Sequence, residues 1–341
     1  MLRFLLSIIL FSMALTVGAQ KDSVRKYLNE NLQFTTKKDV VYAAMAVKDN
    51  NRWLLYAVYP DTSPILQVYF TDAALTVKDG PFTLYYPKRL VAQKGSFANN
   101  LPNGRWQSWY SNGQPKNEGT IINNHFSGVW KSWYESGQIK SEQSYMYIDS
   151  ATGPAQHQRF PSYKVQAVLE DFAPEGVREG VSTIWYENGN KESVSNYHND
   201  SLTGLCTWYR LNGNPSSKET YVNGKVTALE CYDEEGKYTG ATCSILKMPV
   251  LIHPMFTALD YLEYELHKDR NSDIREEGDA AISFTVTKKG TVENLSFTSS
   301  PDPALNKHIA KIFAGMPAWS PAITHNRAVD YPVKLVVPYY R

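Results

Sequence analysis

One stretch of this sequence returns every 24 residues. Gly104-Arg-Trp-Gln-Ser-Trp109-Tyr110-Ser-Asn112-Gly113-Gln-Pro-Lys-Asn-Glu118 recurs as Gly128-Val-Trp-Lys-Ser-Trp133-Tyr134-Glu-Ser-Gly137-Gln-Ile-Lys-Ser-Glu142. A second pair of copies runs from Gly180 through Trp185-Tyr186-Glu-Asn188-Gly189, and from Gly204 through Trp208-Tyr209-Arg-Leu-Asn212-Gly213. In the last copy the turn reads one residue longer. Gly80 lies a full period before Gly104, with Tyr85-Tyr86-Pro87-Lys88 in place of the Trp-Tyr pair, and Trp53 to Phe70 reads as a worn earlier copy. A period of this length implies small supersecondary units that cannot bury their own faces and are stabilised by their neighbours.

Each unit reads as a hairpin. An aromatic strand meets Asn-Gly or Ser-Gly, expected to supply the positive φ angles of a tight turn. A polar return strand follows, closing on Tyr145, Tyr197 or Tyr221. Alternation along the strand sets Trp106, Ser108 and Tyr110 on one face and Trp109 on the other. Trp109 should then stack on Trp133, and Tyr110 on Tyr134. Aromatic residues make up 13% of the chain, which suits half-buried strands. The motif residues Trp109, Tyr110, Gly113, Trp133, Tyr134, Gly137, Trp185, Tyr186, Gly189, Trp208, Tyr209 and Gly213 read first as structural, with a glycan- or peptide-binding surface as the alternative. Residues 146–179 break the rhythm, and are read as a degenerate unit with an insertion in preference to a loop rich in Pro and Gly. Over residues 53–240 the units resemble the MORN-like repeats, including those of YwqK-type antitoxin components, whose hallmark is a recurring Trp-Tyr-x-x-Gly. That resemblance implies a scaffold and no particular activity.

The N-terminus is of another kind. Arg3 precedes an apolar run from Phe4 to Val17, and Val17-Gly18-Ala19 places short residues before Gln20. Residues 1–19 therefore read as a cleaved signal peptide, followed by a lead-in segment over 20–52. The alternative is an uncleaved anchor at the short end of what spans a bilayer. Export would place the three cysteines, Cys206, Cys231 and Cys243, in an oxidising compartment where one bridge can form. Spacing does not say which pair.

After Gly240 the pattern changes, and residues 245–341 read as a separate α+β domain. Phe256, Leu259, Leu262 and Leu266 recur at helical spacing within a segment opening at Pro254. Ala281 to Thr287 alternates as a strand, Lys288-Lys289-Gly290 turns, and Thr291 to Thr298 returns. A second helix is expected from Asp302 or Pro303 to about Ala314, and a last strand from Tyr331 to Tyr339. This order resembles the TonB C-terminal domain. The resemblance is carried by Phe284, Val286 and Gly290, by Met316-Pro317-Ala-Trp319-Ser-Pro321-Ala322, and by the closing Tyr331-Pro-Val-Lys-Leu-Val-Val-Pro338. It implies a sheet with an open edge to which an extended peptide adds as a strand. The candidate edge is Val333, Lys334, Leu335, Val336, Val337 and Tyr339, bracketed by Pro332 and Pro338; the Met316 to Ala322 motif reads as structural. The whole layout resembles energy-transducer-like proteins of Bacteroidetes-type bacteria. Unlike a TonB transducer, however, the sequence shows no Pro-rich spacer.

The fold class expected is thus α+β, mainly β: an extended antiparallel β-hairpin repeat array followed by a small TonB-C-like domain. Net charge is +1 with both signs mixed, which gives no electrostatic reason to expect nucleic acid. No phosphate-loop, dinucleotide, nucleophile-elbow or zinc-protease motif occurs, and the seven His stand singly. No catalytic, cofactor or metal residues are expected, and the chain is read as not an enzyme. The functional reading is an exported protein–protein interaction module, periplasmic or outer-membrane-associated. Its partner would be a protein or extended peptide, such as an outer-membrane receptor, with membrane contact only through that partner or an uncleaved N-terminus. The alternatives are an anchored component of TonB-dependent transport and a glycan- or peptidoglycan-binding surface protein.

Overall fold

The computed structural model of the chain describes residues 23–30, 32, 34–35, 40–147, 176–268 and 273–340. The expected signal peptide, Met1–Ala19, lies outside the described residues, as does most of the irregular stretch 146–179. The fold is mainly β, as the repeats require, with two α-helices among the described residues: α1 (Ala258–Lys268) and α2 (Pro303–Ala314). No helix among the described residues is long and apolar enough to cross a membrane. The chain divides into two compact units. One runs to Cys206 and includes Tyr221–Lys225; the other comprises Thr207–Thr220 and everything from Val226.

The first unit is a ladder of antiparallel hairpins. Ser23–Leu28 pairs with Tyr42–Asp49, and then Arg52–Val58, Pro64–Phe70, Lys78–Tyr85, Val91–Ala98, Gly104–Trp109 and Pro115–Ile122 each pair with the strand before. His125–Trp133, Ile139–Met146, Val177–Trp185 and Lys191–His198 continue it. Met146 is the direct partner of Val177. Among the described residues the ladder therefore passes directly from Ile139–Met146 to Val177–Trp185.

Cross-strand pairing lines up one row of side chains through the sheet. Ala46, Leu55, Val68, Phe82 and Gly95 are successive partners, Trp106 pairs with Gly119, and Trp130 leads on to Gln143, Ser182 and Ser195. The apolar half of this row lies in the core, where Ala46, Leu55, Val68, Phe82 and Trp106 are all buried. Large and absent side chains alternate there. A Cβ at Gly95 would lie 2.2 Å from the Trp106 ring, and one at Gly119 would lie 1.9 Å from the Trp130 ring. The same face turns hydroxyl-rich beyond Trp130, with Ser132 and Ser141 bonded across the pair at 2.7 Å.

Lys78 is buried at 4% exposure within this unit, its ammonium 5.1 Å from the centre of the Phe97 ring. Burial lowers its pKa to about 8. A lysine depressed in the folded state carries a penalty while both states are protonated. Between about pH 8 and the unfolded value near 10.4 the unfolded chain binds more protons, so this group adds stability as pH rises through that window. Thermal melts at pH 7.5 and 9.5 should show the rise, and Lys78→Met should flatten it.

The second unit holds the C-terminal module. Its three-stranded sheet places Gly278–Val286 between Val292–Ser299 and Tyr331–Tyr339. Leu262 and Leu266 of α1 and Leu305 and Ile309 of α2 pack on it, around Ile282, Phe284, Val286 and Val337. The helix start expected at Pro254 lies instead at Ala258, for a local reason. Thr257 and Asp260 bond reciprocally as a capping box, Thr257 N–H to the carboxylate at 3.1 Å and Asp260 N–H to the hydroxyl at 3.3 Å. The backbone N–H groups of Met255 and Phe256 turn back onto His253 Nδ1. The α2 start is where the sequence placed it: Asp302 caps it, accepting from Ala304 N–H at 2.8 Å. The backbone N–H groups of Arg275 and Ala304 hold this carboxyl below its ordinary range.

Candidate functional site

The repeats are joined at their turns. In the first copy Gly113 N–H donates to Tyr110 O and Tyr110 N–H to Gln114 O; the second copy repeats both bonds between Gly137, Tyr134 and Gln138. Positive φ falls on the glycines alone, +85° at Gly113 and +88° at Gly137. The loops are therefore three-residue turns closed by a glycine bulge, in which the glycine supplies the expected positive φ and the asparagine is used otherwise. Asn112 Oδ1 accepts from Gln114 N–H, and its amide reaches the next copy, donating to Glu135 O at 2.9 Å. The tyrosines also reach forward. Tyr86, Tyr110 and Tyr134 hydroxyls donate to the carbonyls of Trp109, Trp133 and Trp185 at 3.1, 2.8 and 2.8 Å. Burial pushes up the pKa of Tyr110 and Tyr134. Tyr110 and Tyr134 are thus each a strut to the next copy through the hydroxyl, where ring stacking was expected. Trp109, Trp133, Trp185 and Tyr186 are half-buried beside these struts.

The fourth copy departs from this plan. Arg210 N–H donates to Asn214 O and Gly213 N–H to Arg210 O, the same two bonds. Its turn is the same length as the others, and what differs is that the aromatic pair lies one residue early. Arg210 takes the tyrosine's place and donates to Tyr232 O and Asp233 O at 3.0 and 3.2 Å. Tyr209 takes the place of Trp109. Trp208 stands where the other copies have Ser108, Ser132 or Ile184, and so turns onto the inner face, 5% exposed.

A socket lies at that point, within the second unit. Ala322–Thr324 and Arg327–Val329 form a hairpin whose two tip residues, His325 and Asn326, have φ of +50° and +60°. The His325 ring stacks on Trp208, centroids 3.8 Å apart and 9° from parallel. Its Nδ1 lies 3.0 and 3.1 Å from the carboxylate oxygens of Glu219, which is fully buried and accepts from Ser217 at 2.7 Å. The Asn326 amide donates to Ser216 O and Tyr232 O at 3.0 and 2.9 Å, and Arg327 Nη1 to Tyr209 O at 2.8 Å. Cys231 and Cys243 are bridged beside it, Cα atoms 6.0 Å apart, while Cys206 takes no part in a bridge. Among the described residues no group of three or more potential metal ligands converges.

The candidate edge is the strand Tyr331–Tyr339, paired along its whole length with Gly278–Val286 and, among the described residues, on that side only. Prolines lack a donor, so at an edge their nitrogens face the open side. Pro332 and Pro338 share that parity with Lys334 and Val336, whose N–H groups are therefore the ones directed outward. Lys334 and Val336 side chains are exposed, while Val337 and Tyr339 are buried and Val333 and Leu335 pack partly into the core. The other motif residues converge in the module's interior. Phe284 lies 4.9 Å from Phe313 and 5.5 Å from Trp319, and Val286 is buried. Gly290, at φ +78°, accepts from Trp319 N–H at 2.9 Å, and a Cβ there would meet the Trp319 carbonyl at 2.1 Å. Met316 packs against the same core, Pro317 and Pro321 flank Trp319–Ser320, and Ala322 opens the socket hairpin.

Four segments match the MORN repeat variant: residues 102–123, 126–146, 178–199 and 202–223. A search of the curated proteins returns no match to the chain. The matched MORN segments suggest a repeat-based protein-interaction scaffold, and they coincide with the four copies whose turns close at Gly113, Gly137, Gly189 and Gly213. Sequence reasoning missed Glu219, His325, Asn326 and the glycines Gly95 and Gly119. The out-of-step Trp208-Tyr209 pair was the available sign of the first three.

Proposed function

We propose that the chain is an exported, non-enzymatic interaction module in which the MORN-type array is a scaffold and the C-terminal module, resembling that of TonB, takes up extended peptide by strand addition. The observation that carries this reading is the open edge of Tyr331–Tyr339. Two prolines face outward and leave Lys334 and Val336 as donors, an edge guarded against indiscriminate pairing yet able to accept a short strand. The Cys231–Cys243 bridge supports export, since such bonds persist in oxidising compartments. The partner class is an extended segment of an outer-membrane receptor.

The test uses ten-residue peptides from the periplasm-facing N-terminal segments of such receptors, with the full chain and hydrogen exchange as readout. A binding peptide is expected to protect the Lys334 and Val336 amides. Val336→Pro, which removes one outward donor without touching the pairing to Gly278–Val286, should weaken binding at least tenfold and leave the melting temperature within a few degrees. Undiminished binding by Val336→Pro would sink the reading.

A further inference from the structure

We infer that the Cys231–Cys243 bridge and the His325–Asn326 hairpin tip form one latch, so that a thiol reductant releases the tip from the last repeat while the rest of the C-terminal module stays folded. The contacts close a ring. Cys231 lies in the last repeat strand, next to Tyr232, whose carbonyl accepts from the Asn326 amide at 2.9 Å. On the other side of the bridge Cys243 is followed by Ser244 and Ile245. Their carbonyls accept the tip's own backbone N–H groups, from Asn326 and His325, both at 2.9 Å. The tip is thus gripped twice: by its side chains in the socket of Trp208, Ser216 and Glu219, and by its backbone on the segment that the bridge ties to that socket.

The tip's attachment to the module's core is thin by comparison. The socket hairpin has three residues on each side, and among the described residues its further strand pairing is with Leu246–Lys247 alone. Leu246 is 70% exposed and contributes no burial to hold the segment in place. Without the bridge, residues 243–247 are tied to the repeat only through the main chain of residues 233–242, and the tip's backbone grip is no longer stapled to the socket. The core around Phe284, Leu262 and Ile309 contains neither cysteine. The chemistry is a two-electron exchange. A dithiol such as dithiothreitol attacks one sulfur, closes to its own cyclic disulfide, and leaves two protonated thiols on Cys231 and Cys243.

Hydrogen exchange on the full chain, with and without dithiothreitol, tests this. Exchange of the amides of residues 322–329 is expected to quicken about tenfold or more on reduction, with residues 305–313 of α2 unchanged. Cys243→Ser without reductant should reproduce the pattern, and reduction should add nothing to that variant. Unchanged protection at 322–329 would overturn the inference. So would equal loss of protection in α2, since the bridge would then be a general staple of the module and not a latch on the tip.

Discussion

His325→Asn is expected to destabilise the second unit by about 1–3 kcal/mol, the range for leaving a buried hydrogen-bonding group without one of its partners. Asparagine is the right replacement because His325 sits at φ +50°, a conformation asparagine tolerates and alanine resists. What is lost is then the ring and not the turn. Glu219 is left fully buried with the Ser217 hydroxyl among its donors but no imidazole, and Trp208 loses the ring stacked on it at 3.8 Å. Glu219→Gln should cost less, about 1–2 kcal/mol, because a neutral amide needs less compensation when buried. Urea unfolding followed by circular dichroism would measure both. The double variant should cost less than the sum by about 1–3 kcal/mol, the coupling of a contacting pair. Additive costs would show that the two side chains do not act through each other.

This socket marks where sequence reasoning stopped. The hairpin repeats were legible because a 24-residue period, an aromatic strand and a turn glycine are local signals. So were α2 and the last strand, each announced by a cap or an alternation that the structure keeps. Partner choice was not local. Asn112 reads as a turn former, and only the structure shows its amide donating to Glu135 of the next copy. The shift of Trp208-Tyr209 was visible, yet it looked like a longer turn, since nothing nearby says whether a turn has grown or an aromatic pair has slipped. The backbone bonds of Arg210 and Gly213 decide for the slip. Glu219 and His325 lie over a hundred positions apart, and each reads alone as an ordinary polar residue. The cysteine pairing was open for the same reason, as three spacings fit equally until Cα positions are known.

Gly95→Ala should cost about 3 kcal/mol, although the glycine has no unusual backbone angle. A methyl built there meets three carbons of the Trp106 ring at 2.2, 2.4 and 2.5 Å. That ring is 1% exposed, held between Phe82 and Phe97 at centroid distances of 5.6 and 5.4 Å, so it has nowhere to swing. Overpacking of a rigid site costs about 1–3 kcal/mol and at times more. Gly104 is the contrast. It has φ +98° and nothing within 4 Å, so Gly104→Ala should cost only the left-handed penalty of about 1–2 kcal/mol. The chain itself supplies the rescue. Where the small partner is replaced by Gln143 or Ser195, the equivalent of Trp106 becomes Ser182 or Cys206. Size is therefore traded across the pair. Trp106→Leu alone should cost about 2–5 kcal/mol through the cavity it leaves. Added to Gly95→Ala it should cost less than its own share, because the new methyl takes up part of that space. Thermal denaturation of the two single variants and the double one decides it: costs that simply add would mean that Gly95 is small for some reason other than the ring it faces.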